Sequence, residues 1–345
     1  MRYVYSLAAL VAGVALLSLS GCDTSKAEGD REAGGQELLN VSYDPTRELW
    51  KTLNQEFIAD YKKTAGVELD IKQSHGGSSS QARAVIDGLE ADVVTLALWS
   101  DTSAIAKAGL IQQGWEERLP NGSLPYFSTI VFVVRKGNPK QIKDWPDLIR
   151  EGVEVVTPSA KTSGNGKLSF LSAWGSIVLR DGSEKDATDF VTKLYNEHVP
   201  VLDSGARAAT TTFAQKKIGD VHLTWENEAY FELAESKGEL EIVYPPISIR
   251  AEPYVAVVDA NVDRKKTRAA AEAYLKFLYT PKAQEIIAES YYRPSNPEAL
   301  HKFRDKFQPV ELFFIQKIAA NWEEADKRFF GEGGVFDQIY SPVQK

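Results

Sequence analysis

The sequence predicts an α/β protein with mainly parallel sheets, folded as two lobes around a cleft. Three observations carry this. Short β-branched runs alternate with helical periodicity from Leu38 to Ser290. After the N-terminal segment about 300 residues remain, more than one domain usually holds. Five strand-to-helix junctions share one chemistry, and in open α/β sheets such junctions gather at the carboxyl ends of the strands.

The first junction, Asp44-Pro45-Thr46-Arg47, follows the alternating run Leu38 to Tyr43, with Asp44 placed as N-cap and Pro45 at the first helical position. The second lies between the strand-like run Val67 to Gln73 and the helix-like run Gln81 to Leu89. It reads Ser74-His75-Gly76-Gly77-Ser78-Ser79-Ser80. Its glycines let backbone N–H groups converge, Ser78 to Ser80 supply hydroxyls and an N-cap, and the helix start adds the positive end of a dipole, so the loop suits an anion. Thr162-Ser163-Gly164-Asn165-Gly166 follows Val153 to Thr157, and Asp203-Ser204-Gly205-Ala206-Arg207 follows Val199 to Leu202. Trp225 closes the fifth junction, between Asp220 to Thr224 and the helix Glu226 to Ser236, and brings an indole N–H that donates and cannot accept.

Asp92 to Leu98, Thr129 to Arg135 and Tyr254 to Val258 read as further strands, Arg264 to Tyr279 and Pro281 to Ser290 as helices. Ser128 to Arg135 is placed as the crossing between lobes and Glu252 to Val258 as the return. This assigns 37–127 plus 252–290 to the first lobe, 128–251 to the second, and leaves 291–345 as a helical segment joined to neither. An aromatic stripe in that segment (Phe303, Phe307, Phe313, Phe314, Trp322, Phe329) reads as core packing.

Upstream, Met1-Arg2 and an apolar run from Val4 to Leu19 read as a secretory signal over 1–21, too short for a comfortable membrane span. Leu19-Ser20-Gly21-Cys22 resembles a bacterial lipobox, and Cys22 is the one cysteine of the 345 residues, so it is the expected lipidation site and no disulfide is expected. Residues 22–36 lack large apolar side chains and read as a tether. The chain carries a formal charge of −8, and removing Arg2 with the signal makes it −9 (−8 − 1), which argues against nucleic acid. The overall field would also repel an anion, so attraction must come from dipoles at the loops.

Catalytic chemistry has little support. None of the four histidines (His75, His198, His222, His301) lies four residues from another, and no serine stands in Gly-x-Ser-x-Gly or Ser-x-x-Lys. Gly164-Asn165-Gly166-Lys167 imitates a phosphate-binding loop but lacks its leading glycine and its following Ser or Thr. The alternative kept open is a secreted serine hydrolase using Ser78 or Ser163, with His75 as the base beside Ser78. Tyr291-Tyr292 is weighed as a ferric-iron pair and read as buried aromatics, and Arg47 and Arg207 are read as partners of carboxylates or carbonyls as readily as of a ligand. No cofactor and no metal are called for.

Leu38 to Leu49, Gln73-Ser74-His75-Gly76-Gly77-Ser78, Val201 to Arg207 and Trp225-Glu226-Asn227-Glu228 together closely resemble the sulfate-binding proteins of bacterial ABC importers. The resemblance runs from about Leu38 into the C-terminal helices. It implies a type II periplasmic-binding-protein fold closing on one dehydrated sulfate, a membrane permease as partner and a monomeric state. It also implies the donors: backbone N–H groups at Asp44, Ser78, Gly164, Asn165 and Ala206, the Ser163 hydroxyl and the Trp225 indole. The family's Ser-Gly-Gly is Ser163-Gly164-Asn165 here, and the Asn Cβ is expected to narrow the site or change a backbone angle. The lipobox is a second departure, since most such proteins are soluble in the periplasm. Thiosulfate, selenate, molybdate and phosphate stay open as ligands, with phosphate disfavoured because a donor-only site has nothing to accept its proton.

Overall fold

The computed structural model describes residues 36–340. The signal, Cys22 and the tether lie outside the described residues, apart from Gln36, which begins the first strand. In chain order the strands are β1 Gln36–Tyr43, β2 Leu69–Gly76, β3 Val93–Leu96, β4 Tyr126–Phe127, β5 Ile130–Arg135, β6 Val155–Pro158, β7 Leu202–Asp203, β8 Val221–Trp225, β9 Leu240–Val243, β10 Ile247–Ile249, β11 Tyr254–Val257, β12 Arg293–Pro294 and β13 Glu311–Phe313.

Two sheets organise two lobes. The first has the order β11-β3-β1-β2, the second β7-β6-β8-β5-β9. Central strands carry the apolar runs: β5 is buried from Ile130 to Val134, and β3 along its whole length. Inside β1 the polar Asn40 and Ser42 are fully buried and satisfied. Asn40 accepts from the Thr95 hydroxyl at 3.0 Å, and Ser42 donates to the Thr95 carbonyl at 3.0 Å. Apolar clusters cover both faces of each sheet.

The sheets are more mixed than the sequence suggests. β1 runs parallel to β2 and β3, and β6 parallel to β7 and β8, but β11 is antiparallel to β3, and β5 is antiparallel to β8 and β9. These two exceptions are the strands that follow the crossings. Each enters its sheet from the side of the other lobe, against the direction of strands that begin at the far side. The crossings are tied together where Ser128 and Ala251 bridge, and β12 pairs with β4 beside them.

Two helical expectations are corrected. Arg264 to Tyr279 is broken: one helix spans Asp259–Lys265 and ends at Lys266, in the left-handed region at φ 58°, and the next spans Arg268–Phe277. His301 to Tyr340 forms short turns and the strand β13 instead of long helices. Its aromatics pack without helical periodicity. Phe313, Trp322 and Phe329 enter the core of the five-stranded lobe, whereas Phe314 is 47% exposed. The contact is close: a methyl group placed on Gly175, in the helix Gly164–Val178, would overlap the Phe313 ring.

Candidate functional site

β1 ends at Tyr43 and turns through a tight 3-10 turn, Asp44–Thr46, into the helix Arg47–Ala65. Asp44 is not the N-cap read from the sequence. The cap position is Tyr43, with no side-chain capping bond, and Asp44 Oδ1 instead accepts from Arg47 Nη2 at 2.7 Å. One helical turn brings the guanidinium within reach, and a charge-assisted bond outcompetes a backbone N–H. The Pro45 carbonyl holds the turn against both lobes, accepting from Asn227 Nδ2 at 3.1 Å and the Tyr292 hydroxyl at 2.8 Å.

The glycine and serine loop is shorter than its composition suggests, because β2 continues to Gly76 and the helix Ser78–Ile86 starts two residues later, with Gly77 at the cap position. No serine caps it. Ser78 Oγ donates to Asp101 Oδ2 at 2.5 Å and accepts from the Ala97 N–H at 3.0 Å, while Ser79 Oγ donates to Asp101 Oδ1 at 2.8 Å. Asp101 thus draws both hydroxyls away and leaves the backbone N–H groups of the helix start facing the cleft. His75 is not beside Ser78 Oγ as a base. Its Nε2 lies 2.5 Å from Gln73 Oε1 and its Nδ1 3.4 Å from the Tyr43 carbonyl, and burial lowers its pKa.

In the second lobe Ser163 caps the helix Gly164–Val178, its Oγ accepting from the Gly166 N–H at 3.5 Å. Asn165 does not twist the backbone: it sits in the first helical turn at ordinary negative φ, lines the cavity, and its Nδ2 donates to the Leu223 carbonyl at 3.1 Å. Gly205, extended at φ −159°, precedes the short helix Ala206–Thr210. Trp225 is the last residue of β8 and leads into the helix Glu226–Glu235. Its ring packs 5.1 Å from that of Tyr43 across the lobes, it is 0% exposed, and its Nε1–H has no hydrogen-bond partner.

Asp44, Ser78, Ser163, Gly164, Asn165, Ala206 and Trp225 all line one cavity of about 10 Å³, together with Tyr43, Pro45, Gly76 and Gly77. That is about the room one water molecule takes, so the two lobes stand close together here. Four helix starts and an unpaired indole N–H point toward it, which makes it a donor-rich site with no basic side chain in its lining. Its one carboxylate, Asp44, is held by Arg47, which also donates to the His75 carbonyl at 3.2 Å. Arg207 binds Glu48 at 3.1 Å and Glu228 at 3.1 Å, tying the two lobes together. Glu228 is buried, and burial pushes its carboxyl up to about 8 against the pull of Arg207.

Sequence reasoning did not assign Tyr43, Pro45, Gly76 and Gly77 to this lining, although each stood inside a quoted motif. Tyr291 and Tyr292 lie apart from the cavity lining. Tyr292 is spent on Pro45, and Tyr291 stacks on Tyr230 at 3.9 Å.

Two lobes, each a sheet with helices, meeting on a small cavity built from helix starts define an extracellular solute-binding protein of the type II periplasmic class. The chain belongs to the bacterial extracellular solute-binding protein family, whose model matches residues 48–293. A thiosulfate-binding protein of Pseudomonas aeruginosa is 50% identical over 344 residues, covering 99% of this chain and 100% of the relative. A sulfate-binding protein of Salmonella typhimurium is 52% identical over 305 residues, covering 88% and 92%. Among solved structures, the sulfate-binding protein SubI from Mycobacterium tuberculosis superposes with a TM-score of 0.79 at 32% identity, covering 86% of this chain and 99% of that one.

Proposed function

We propose that this protein captures sulfate outside the cytoplasm and hands it to the membrane permease of an ABC importer. The observation that carries the reading is the Trp225 indole N–H, buried without a partner on a cavity ringed by helix starts. Sulfate is a full dianion near neutral pH, so a site that only donates satisfies every oxygen. Burying such an ion is costly unless its lone pairs are met. Roughly seven charge-assisted hydrogen bonds of about 1.5–3 kcal/mol each are of the right size to offset this. We assign the donors as the backbone N–H groups of Asp44, Ser78, Gly164, Asn165 and Ala206, the Ser163 hydroxyl and the Trp225 indole. With Arg47 and Arg207 both committed to carboxylates, helix and peptide dipoles supply the compensation.

We read no catalysis here. The Ser78 hydroxyl is bound by Asp101 and the Ser163 hydroxyl by a helix N–H, neither with a histidine beside it. Relatives named for thiosulfate and for sulfate stand at nearly equal identity, so thiosulfate is the closest rival ligand. Melting the mature domain with and without sulfate tests the reading, because a ligand that binds only the native state raises its stability. No shift at saturating sulfate, or turnover of generic esters, refutes it.

The lobe division follows the same reading, with residues 37–127 and 252–290 in the first and 128–251 in the second, acting as a monomer. Export and anchoring through Cys22 rest on the lipobox-like Leu19-Ser20-Gly21-Cys22. Labelling with a radioactive fatty acid should mark the wild type and miss Cys22→Ala, which still binds sulfate. An unlabelled wild type would mean a soluble periplasmic protein.

A further inference from the structure

Three glycines stand where the two lobes come closest, and none needs to be glycine for its own backbone. Gly77 has φ −59° and ψ 133°, Gly205 is extended, and Gly164 begins a helix at ordinary negative φ, so alanine fits each conformation. What excludes a side chain is the opposite lobe. A Cβ on Gly77 would run into the Thr162 carbonyl oxygen and reach within 3.0 Å of that of Ser204. One on Gly164 would stand 2.5 Å from Ala97 Cβ and 3.3 Å from Ser78 Cβ. One on Gly205 would stand 2.5 Å from Asp44 Oδ2. Gly77 and Gly164 therefore meet backbone or fixed Cβ atoms, whereas Gly205 meets the carboxylate end of Asp44, which Arg47 holds.

We propose that Gly77, Gly164 and Gly205 form a closure gauge: their missing side chains set how far the lobes shut, and so the size of tetrahedral anion the site holds best. The proposal rests on the sulfate reading above. It follows from where the gauge lies, since Gly77 precedes Ser78, Gly205 precedes Ala206 and Gly164 is itself a donor. Any gap opened at these points separates the donors of one lobe from those of the other, and the buried Trp225 N–H lies on the same cavity wall. Sulfate, with short bonds, needs full closure. Thiosulfate, with sulfur in place of one oxygen, and molybdate, with longer bonds, tolerate a wider gap. Gly164 is assigned as a ligand donor and Gly77 lines the cavity, whereas Gly205 does neither and acts on selectivity from outside the lining.

The test compares wild type with Gly77→Ala and Gly205→Ala by stopped-flow and calorimetric binding of sulfate, thiosulfate and molybdate. Ligand-free melting is measured for both variants, so that a loss of fold is told apart from a loss of binding. Gly77→Ala should weaken sulfate by about ten- to a hundredfold, chiefly through faster dissociation, and weaken thiosulfate or molybdate several-fold less. Gly205→Ala should move the same way by a smaller factor. Should Gly77→Ala fail to fold, Gly205→Ala decides alone, since its neighbour is a side-chain oxygen and not backbone. Unchanged sulfate dissociation in a folded variant, or equal losses for all three anions, overturns the gauge. A wild type that ignores sulfate overturns the sulfate reading instead, and the gauge is then read on whichever anion binds.

Discussion

Replacing Trp225 with Phe removes one donor and little else. Its Nε1–H is buried without a partner in the protein, so deleting it breaks no internal bond. In the ligand-free protein two effects oppose each other: the smaller ring leaves a void against Tyr43, whose ring lies 5.1 Å away, and a buried unsatisfied donor disappears. Each is worth about 1–3 kcal/mol, so the ligand-free melting midpoint should stay close to that of the wild type. With sulfate the balance is one-sided. Loss of one charge-assisted hydrogen bond costs about 1.5–3 kcal/mol, which weakens binding roughly 10- to 150-fold. At a sulfate concentration saturating for both proteins, the ligand-induced rise in melting midpoint should shrink by about 2–5 °C. Calorimetric titration gives the affinity and scanning calorimetry the two midpoints. A folded variant with wild-type affinity would show that the indole does not reach the ligand, and the donor assignment would fall.

Sulfate affinity should be nearly flat from pH 5 to 8, with phosphate far weaker throughout by calorimetric titration. Comparable affinities for the two would mean that the Asp44 carboxylate, paired with Arg47 on the cavity wall, accepts the phosphate proton. Ser163→Ala should lower ligand-free stability by about 1 kcal/mol through the lost cap and also weaken sulfate, so that denaturant titration and calorimetry move together. Gly175→Ala should cost about 1–3 kcal/mol by pushing into the Phe313 ring while sulfate affinity holds, because that contact lies away from the cavity. Glu228 holds its proton up to about pH 8 when folded but only to about 4.5 in its ordinary state. Between those values the native state binds the extra proton, so this group's contribution falls as pH rises from about 4.5 to about 8. The melting midpoint of Glu228→Gln should therefore gain on the wild type between pH 5 and pH 8.5, and parallel profiles would contradict the burial argument.

The strand-to-helix junctions were legible because their signals are local. A β-branched run followed by Gly, Ser or Asp and then helical periodicity needs no knowledge of the rest of the chain. Trp225 stood out for the same reason, as an indole at a place where small residues are usual. The role of Asp44 was misread because capping and pairing with Arg47 compete over the same four residues, and the sequence pattern fits both. Gly77 and Gly205 were legible as loop glycines but not as points of lobe contact, since their constraint comes from Thr162, Ser204 and Asp44, far away in sequence. The 301–340 segment read as helical from its spaced aromatics, yet those rings are placed by the lobe they cover.

That coverage bears on the order in which the protein can become stable. Phe313, Trp322, Phe329 and Phe336 complete the core of a lobe whose strands come from residues 130 to 243, and the first sheet needs β11 at its edge and the residues that pack around it. A chain emerging from its amino end therefore has nothing finished to fold early. Both halves are completed only by residues that come late in the chain. Cutting the chain before Phe313 should leave the five-stranded half exposed to protease, although every strand of that sheet is intact.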